Sequence, residues 1–201
     1  DLPMRKKIFP WIKEHEKTFY LPRTPIEPIG VYFSPITRNF HAKDFIASYR
    51  GILILLMQKH LEFQIVTPRT LADFQGTTLV LPDVRELSDV EKTWLQKFVD
   101  RKNRLVVTGT NATGLAASDQ VVRFPNCPGR AYEEALEHDF QHTSPASQQQ
   151  LLDALGKSEA VRIEAPPHIA LRMATSTASS PTSPDCGAVR IRYRFRRAGS
   201  K

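Results

Sequence analysis

Cysteine is scarce in this chain: 201 residues hold two, Cys127 and Cys186. They form no Cys-x-x-Cys pair and no zinc-ligand spacing, and two cysteines do not make a disulfide scaffold. The redox compartment therefore stays open. Long apolar runs are missing as well. The longest, Ile52–Met57, falls far short of the roughly 20 residues a membrane helix needs, so no membrane partner is expected. No internal repeat of roughly 20–50 residues is present, which excludes solenoids and propellers. No secretory leader is visible. The chain opens at Asp1, so an N-terminus cut from something longer is expected, and a cytoplasmic setting is only a default.

What is present is the composition of a folded domain. Hydrophobic residues make up 41%, enough for a real core. The net charge of +7 is unevenly spread. Residues 173–201 carry six cations (Arg190, Arg192, Arg194, Arg196, Arg197 and Lys201) against Asp185, a net +5 that leaves +2 for the other 172 residues. The basic balance belongs to the tail, so nucleic acid is not an expected partner of the domain.

Hydrophobic spacing divides the chain into three parts. In residues 1–25, Met4, Ile8, Trp11, Ile12 and Phe19 recur near helical spacing, predicting an amphipathic helix over 4–19. Pro10 fits such a helix if the regular part begins there. The proline-rich LPRTPIEP is a linker. Residues 26–172 then alternate strand and helix. Strands are expected at IGVYF, EFQIV, TTLVL, RLVVTG and VVRF, with two late ones at AVRIEA and HIALRM. Helices are expected over 42–60, 129–138 and 145–156, with a short turn of helix over 68–74. The clearest helix opens at Ser88, with Glu91 three residues on as a capping box. Near-continuous apolar strands separated by helices predict an α/β fold: a flavodoxin-like three-layer sandwich with a mainly parallel sheet. Residues 173–201 form a low-complexity basic tail, expected to be disordered.

The ordered set GVYFSPITRN, LVLPDVRELSDVEKTWLQKFV and RLVVTGTNATG resembles the β-galactosidase trimerisation domain and its relatives attached to glycoside hydrolases, within the class I glutamine amidotransferase-like superfamily. The resemblance covers about residues 26–172. It implies the same α/β sandwich, and it implies that helix 4–19 is the connector leaving a glycoside hydrolase barrel. In active amidotransferases a cysteine occupies the turn after the strand matching RLVVTG. Here that turn reads Thr108-Gly109-Thr110-Asn111. The resemblance therefore implies the fold without the hydrolytic chemistry, no cofactor, and a homo-oligomer or a preceding barrel as partner, with carbohydrate as the ligand class. It also bears on the tail. One codon choice for MATSTAS, read two bases on, encodes Gly-His-Val-Asp-Gly-Lys, the strand–turn–strand expected of this family. The sequence after about Arg172 is accordingly expected to be frameshifted.

Candidate site residues cluster where the strands end, since open α/β sheets bind ligands beyond their carboxyl ends. Ser34, Thr37 and Arg38, Asp83 and Arg85, and Thr108, Thr110 and Asn111 stand there. They either face a sugar or an anion or, as these types usually do, cap helices and close turns. Arg38 suits a carboxylate or phosphate, or else pairs with Asp44 or Asp83. A Cys-dependent or amidotransferase-like hydrolase would use Cys127, placed before a helix, with His138 and His142 downstream. Those two histidines are four apart, but the expected end of their helix argues against a metal site. Three readings result: a non-catalytic accessory or oligomerisation domain of a carbohydrate-active protein, a hydrolase using Cys127, or a sugar- or anion-binding domain.

Overall fold

The computed structural model describes residues 2–16, 23–25, 28–136, 145–155, 163–164, 174–176 and 191–192. It opens with helix α1 (Leu2–Glu14) and strand β1 (Arg23–Pro25). The α/β domain follows: β2 (Ile29–Tyr32), α2 (Pro35–Phe40), α3 (Ala42–Gln58), β3 (Phe63–Val66), β4 (Thr78–Pro82), α4 (Asp89–Asp100), β5 (Arg104–Thr108), β6 (Val121–Phe124), α5 (Pro128–Leu136) and α6 (Pro145–Leu155). Three short strands complete it: β7 (Ile163–Glu164), β8 (Ala174–Ser176) and β9 (Ile191–Arg192).

The main sheet has the order β3-β2-β4-β5-β6, and all four pairings are parallel. From β2 the chain winds first to β3 and then back past β2 to β4, β5 and β6. Right-handed crossovers in these two directions place α3 and α4 on opposite faces. This is the expected doubly wound sandwich. Its inner strands are apolar because both faces are covered: Val31, Leu79, Val80, Leu105 and Val106 are completely buried. On one side Phe45, Ile52 and Leu56 of α3 pack down, with Phe33 edge-on to Phe45 and Tyr49. Leu95 and Phe98 of α4 are buried, with Trp94 stacked on Phe98. Both halves of the Ser88–Glu91 capping box form.

Several boundaries differ from expectation. The chain between β2 and β3 holds two helices: Ser34 caps a separate α2, which ends at His41 before α3 starts. Residues 68–74 form hydrogen-bonded turns (Thr70 N–H to Thr67 O, Asp73 N–H to Thr70 O) and no helix, as Pro68 and two threonines favour turns. Helix α1 runs through Pro10 instead of beginning there. Of the late strands, AVRIEA contributes β7, while HIALRM lies outside the described residues. Two short pieces of the tail take part in strand pairs. β8 pairs antiparallel with β1, and β9 pairs parallel with β7. The rest of the tail lies outside the described residues.

Candidate functional site

The strand order reverses between β2 and β4, which opens a crevice at their carboxyl ends. Most of the side chains expected there turn inward. Ser34 accepts the Thr37 N–H at 3.1 Å and donates to Thr37 Oγ1 at 2.9 Å. Thr37 Oγ1 in turn accepts the backbone N–H groups of Arg85 (3.2 Å) and Glu86 (3.0 Å). Both residues are buried, and their work is to tie α2 to the loop after β4. Thr108 is likewise buried, with Oγ1 accepting the Asp83 N–H at 3.2 Å. Asn111 closes its own turn, donating to Leu115 O at 3.1 Å and accepting from Thr113 Oγ1 at 2.5 Å. Capping and turn closure account for these four.

Asp83 is the centre of what remains. It is 1% exposed and sits in the left-handed region at φ +48, an uncommon place for a non-glycine residue. Its Oδ1 accepts the Thr110 N–H at 3.2 Å, and its Oδ2 meets Arg85 Nη2 at 3.0 Å. The same Nη2 reaches Asp44 Oδ2 at 2.9 Å, and Arg130 Nη1 takes the other oxygen of Asp44 at 3.2 Å. His41 Nδ1 lies 3.4 Å from Arg85 Nη1. Asp83, Arg85, Asp44 and Arg130 thus form one chain of alternating charge across the mouth of the crevice. The Arg85 guanidinium, by hydrogen bond and charge, holds the Asp44 carboxyl below the ordinary range. Arg85, not Arg38, pairs with both carboxylates. Arg38 is exposed at the end of α2.

Cys127 comes to the same crest from β6. Its carbonyl accepts the Ala131 N–H at 3.1 Å, so it caps α5. The sulfur packs against the turn after β5: a Cβ placed on Gly109 would stand 2.6 Å from Cys127 Sγ and 2.5 Å from Asp83 Oδ1. Gly109 has φ +70, so both conformation and space demand glycine. Burial, then the Asp83 charge, pushes the thiol pKa up, outweighing Ser48 and Arg130, which pull the other way. A helix N-terminus alone would have predicted the reverse. The amides at this crest are engaged too. Gly109 N–H donates to Phe124 O (2.8 Å) and Asn126 O (3.1 Å), and Thr110 N–H to Asp83. His138 and His142 lie outside the described residues.

Sequence reasoning placed Asp83 and Arg85 at the crest but read Cys127 only as a thiol before a helix, away from the turn after β5 that it packs against, and it missed His41, Ser48 and Arg130. His41 stands between α2 and α3, Ser48 is on α3 and Arg130 on α5, and the close crossing of α3 and α5 brings Ser48 and Arg130 in. The usable signal was the set of small residues Ser48, Gly51 and Gly129, since small side chains let backbones approach. Among the described residues no group of three His, Cys, Asp or Glu side chains is placed to hold a metal ion, and no helix is long and apolar enough to cross a membrane. No family model, curated protein or solved structure matches the chain.

Proposed function

We propose that this chain is a non-catalytic accessory domain of a carbohydrate-active protein and acts through association, with further copies of itself or with a glycoside hydrolase barrel. The observation that carries the reading is the occupied crest. A nucleophile of this superfamily needs an activated side chain and free amide donors on one turn. Here the turn holds Gly109, the Gly109 and Thr110 amides donate within the protein, and the neighbouring thiol faces a carboxylate that disfavours thiolate. The Cys127 hydrolase reading lacks support on each count. Light scattering on the eluting peak of a sizing column tests the association, with an oligomer expected. A monomer at every concentration, together with no complex with the parent barrel, removes the reading. Loss of an activity on Cys127→Ala would restore the hydrolase.

A second reading rests on the same crevice. Arg85, Asp44 and Arg130 keep side-chain exposures of 27%, 39% and 35%, so guanidinium donors and a carboxylate remain within reach of a small polyol or anion. Thermal-shift measurements with monosaccharides and with phosphate test it. A rise in melting temperature that disappears in Arg85→Ala is expected of a binding site.

A further inference from the structure

The row of alternating charge at the crest leaves hydrogen-bonding groups of both kinds open. Each oxygen of Asp44 meets one guanidinium, Oδ2 that of Arg85 at 2.9 Å and Oδ1 that of Arg130 at 3.2 Å. A carboxylate has about four lone-pair sites, so acceptor capacity remains on Asp44. Arg130 makes no hydrogen bond beyond this ion pair among the described residues, and most of its N–H groups stay open as donors. Arg85 is nearly full. Its Nε and Nη2 go to Asp83 and Asp44, and Nη1 has only His41 Nδ1, at 3.4 Å. Asp83 is buried beneath them and out of a ligand's reach. An acceptor on Asp44 is therefore flanked by donors on Arg130 and Arg85, and all three side chains are partly exposed.

Charge decides what can use these groups. Two carboxylates and two guanidiniums cancel. Phosphate or a free carboxylate would suit the guanidiniums, but Asp44 already stands between them and would repel it. An ammonium would suit Asp44 and meet two arginines. A hydroxyl both donates and accepts. Two hydroxyls on adjacent carbons can give to the carboxylate and take from the guanidiniums at once, with no net charge brought in. The surface beside the row suits the rest of such a molecule. Phe40, the residue before His41, is 76% exposed. An exposed ring next to a few polar groups offers apolar area for the C–H groups of a sugar ring.

We infer that the crest binds a neutral sugar through a vicinal diol bridging Asp44 and Arg130, and that it discriminates against anions. The inference rests on the ligand-binding reading and names the ligand class that reading left open. Binding is weak, because partly exposed groups gain little from each polar contact.

The test uses the full chain. Isothermal titration at low salt compares the methyl glycosides of glucose and mannose, which between them present trans and cis diols, with inorganic phosphate. Wild type should bind at least one glycoside, and phosphate more weakly. Asp44→Asn removes the charged acceptor and leaves both arginines without their anion, so the preference should invert: the glycoside loses about tenfold in affinity and phosphate gains. Arg130→Gln should weaken the glycoside while leaving the Arg85–Asp83 pair in place. The melting transition of each variant shows whether it is folded. A glycoside isotherm unmoved by both variants places the sugar elsewhere and overturns the inference. Phosphate bound more tightly than either glycoside by wild type, and lost in Arg85→Ala, overturns the inference while ligand binding at the crest stands. Wild type that binds neither glycoside nor phosphate at millimolar concentrations removes the inference and the ligand-binding reading together.

Discussion

The Gly129 carbonyl oxygen lies against the Cα of Gly51, and a Cβ placed on Gly51 would come within 1.7 Å of it. In reverse, a Cβ on Gly129 would meet the Ser48 carbonyl oxygen at 2.2 Å. The contacts are to backbone, which cannot swing away as a flexible side chain would. Gly51→Ala gains helix propensity, about 1 kcal/mol in an exposed helix. Forcing α5 off α3 costs more, about 1–3 kcal/mol for overpacking at a well-filled contact. The expected net effect is a lower urea midpoint. Because α5 begins one residue after Cys127, alkylation of Cys127 by iodoacetamide should speed up in the same variant. A faster reaction without lost stability would mean that α5 moves independently of the core.

Asp83 and Cys127 meet over Gly109, and this decides the chemistry of the thiol. Only thiolate reacts with iodoacetamide, so Cys127 should react more slowly at neutral pH than a free cysteine. Asp83→Asn removes one of the two largest upward influences, the carboxylate charge, and leaves burial in place. The rate–pH profile of Cys127, followed on its own peptide by mass, should move to lower pH. An unmoved profile would show that burial alone holds the proton.

The legible parts of this fold were those set by local pattern. The apolar runs at Val31, Val80 and Val106 are buried on both sides and announce parallel strands without further information. The Ser88–Glu91 box works within four residues, and it formed as expected. The crest was legible only in part. Its residues were placed at the strand ends because topology puts loops there. Their partners depended on distances between helices that periodicity does not encode. Arg38 and Arg85 look alike in sequence, each just past a strand end. Arg85 follows Asp83 by two residues on a loop held by Thr37, which aims its guanidinium across the crevice at Asp44. Arg38 lies within α2 and points its charge to solvent.

The Asp44 carboxylate makes acid stability a test of the ion-pair chain. Its folded pKa is lowered by Arg85. A lowered carboxyl contributes stability that is fully present above the unfolded pKa, about 4. That contribution is lost as pH falls through the folded value. Wild type should therefore be more stable than Asp44→Asn at neutral pH, with a constant difference down to about pH 4 that closes below it. Added salt should shrink the gap, because these side chains are partly exposed. Thermal melts at stepped pH and salt measure both. A gap that widens on acidification would mean that Asp44 does not act as a paired anion.

Tyr32 gives the alkaline counterpart. Its hydroxyl is buried at the end of β2 and donates to the Glu91 carboxylate, which also accepts the Ser88 N–H at 2.7 Å. One carboxylate therefore locks the end of a central strand to the start of α4. Tyr32→Phe removes a hydrogen bond to a charged group, expected to cost about 1.5–3 kcal/mol. Glu91→Ala should cost more, since it also breaks the capping box and strands the Tyr32 hydroxyl in the core. Burial, and then Glu91, raise the Tyr32 pKa far above its ordinary range. A raised phenol contributes stability that is whole below the unfolded pKa, about 10, and declines as pH climbs toward the folded value. The difference between wild type and Tyr32→Phe in urea midpoints should thus be flat through neutral pH and narrow above about pH 10. If the difference persists undiminished at the highest pH at which the protein stays folded, the phenol is ionising freely in the native state and its bond to Glu91 is not what holds β2 to α4.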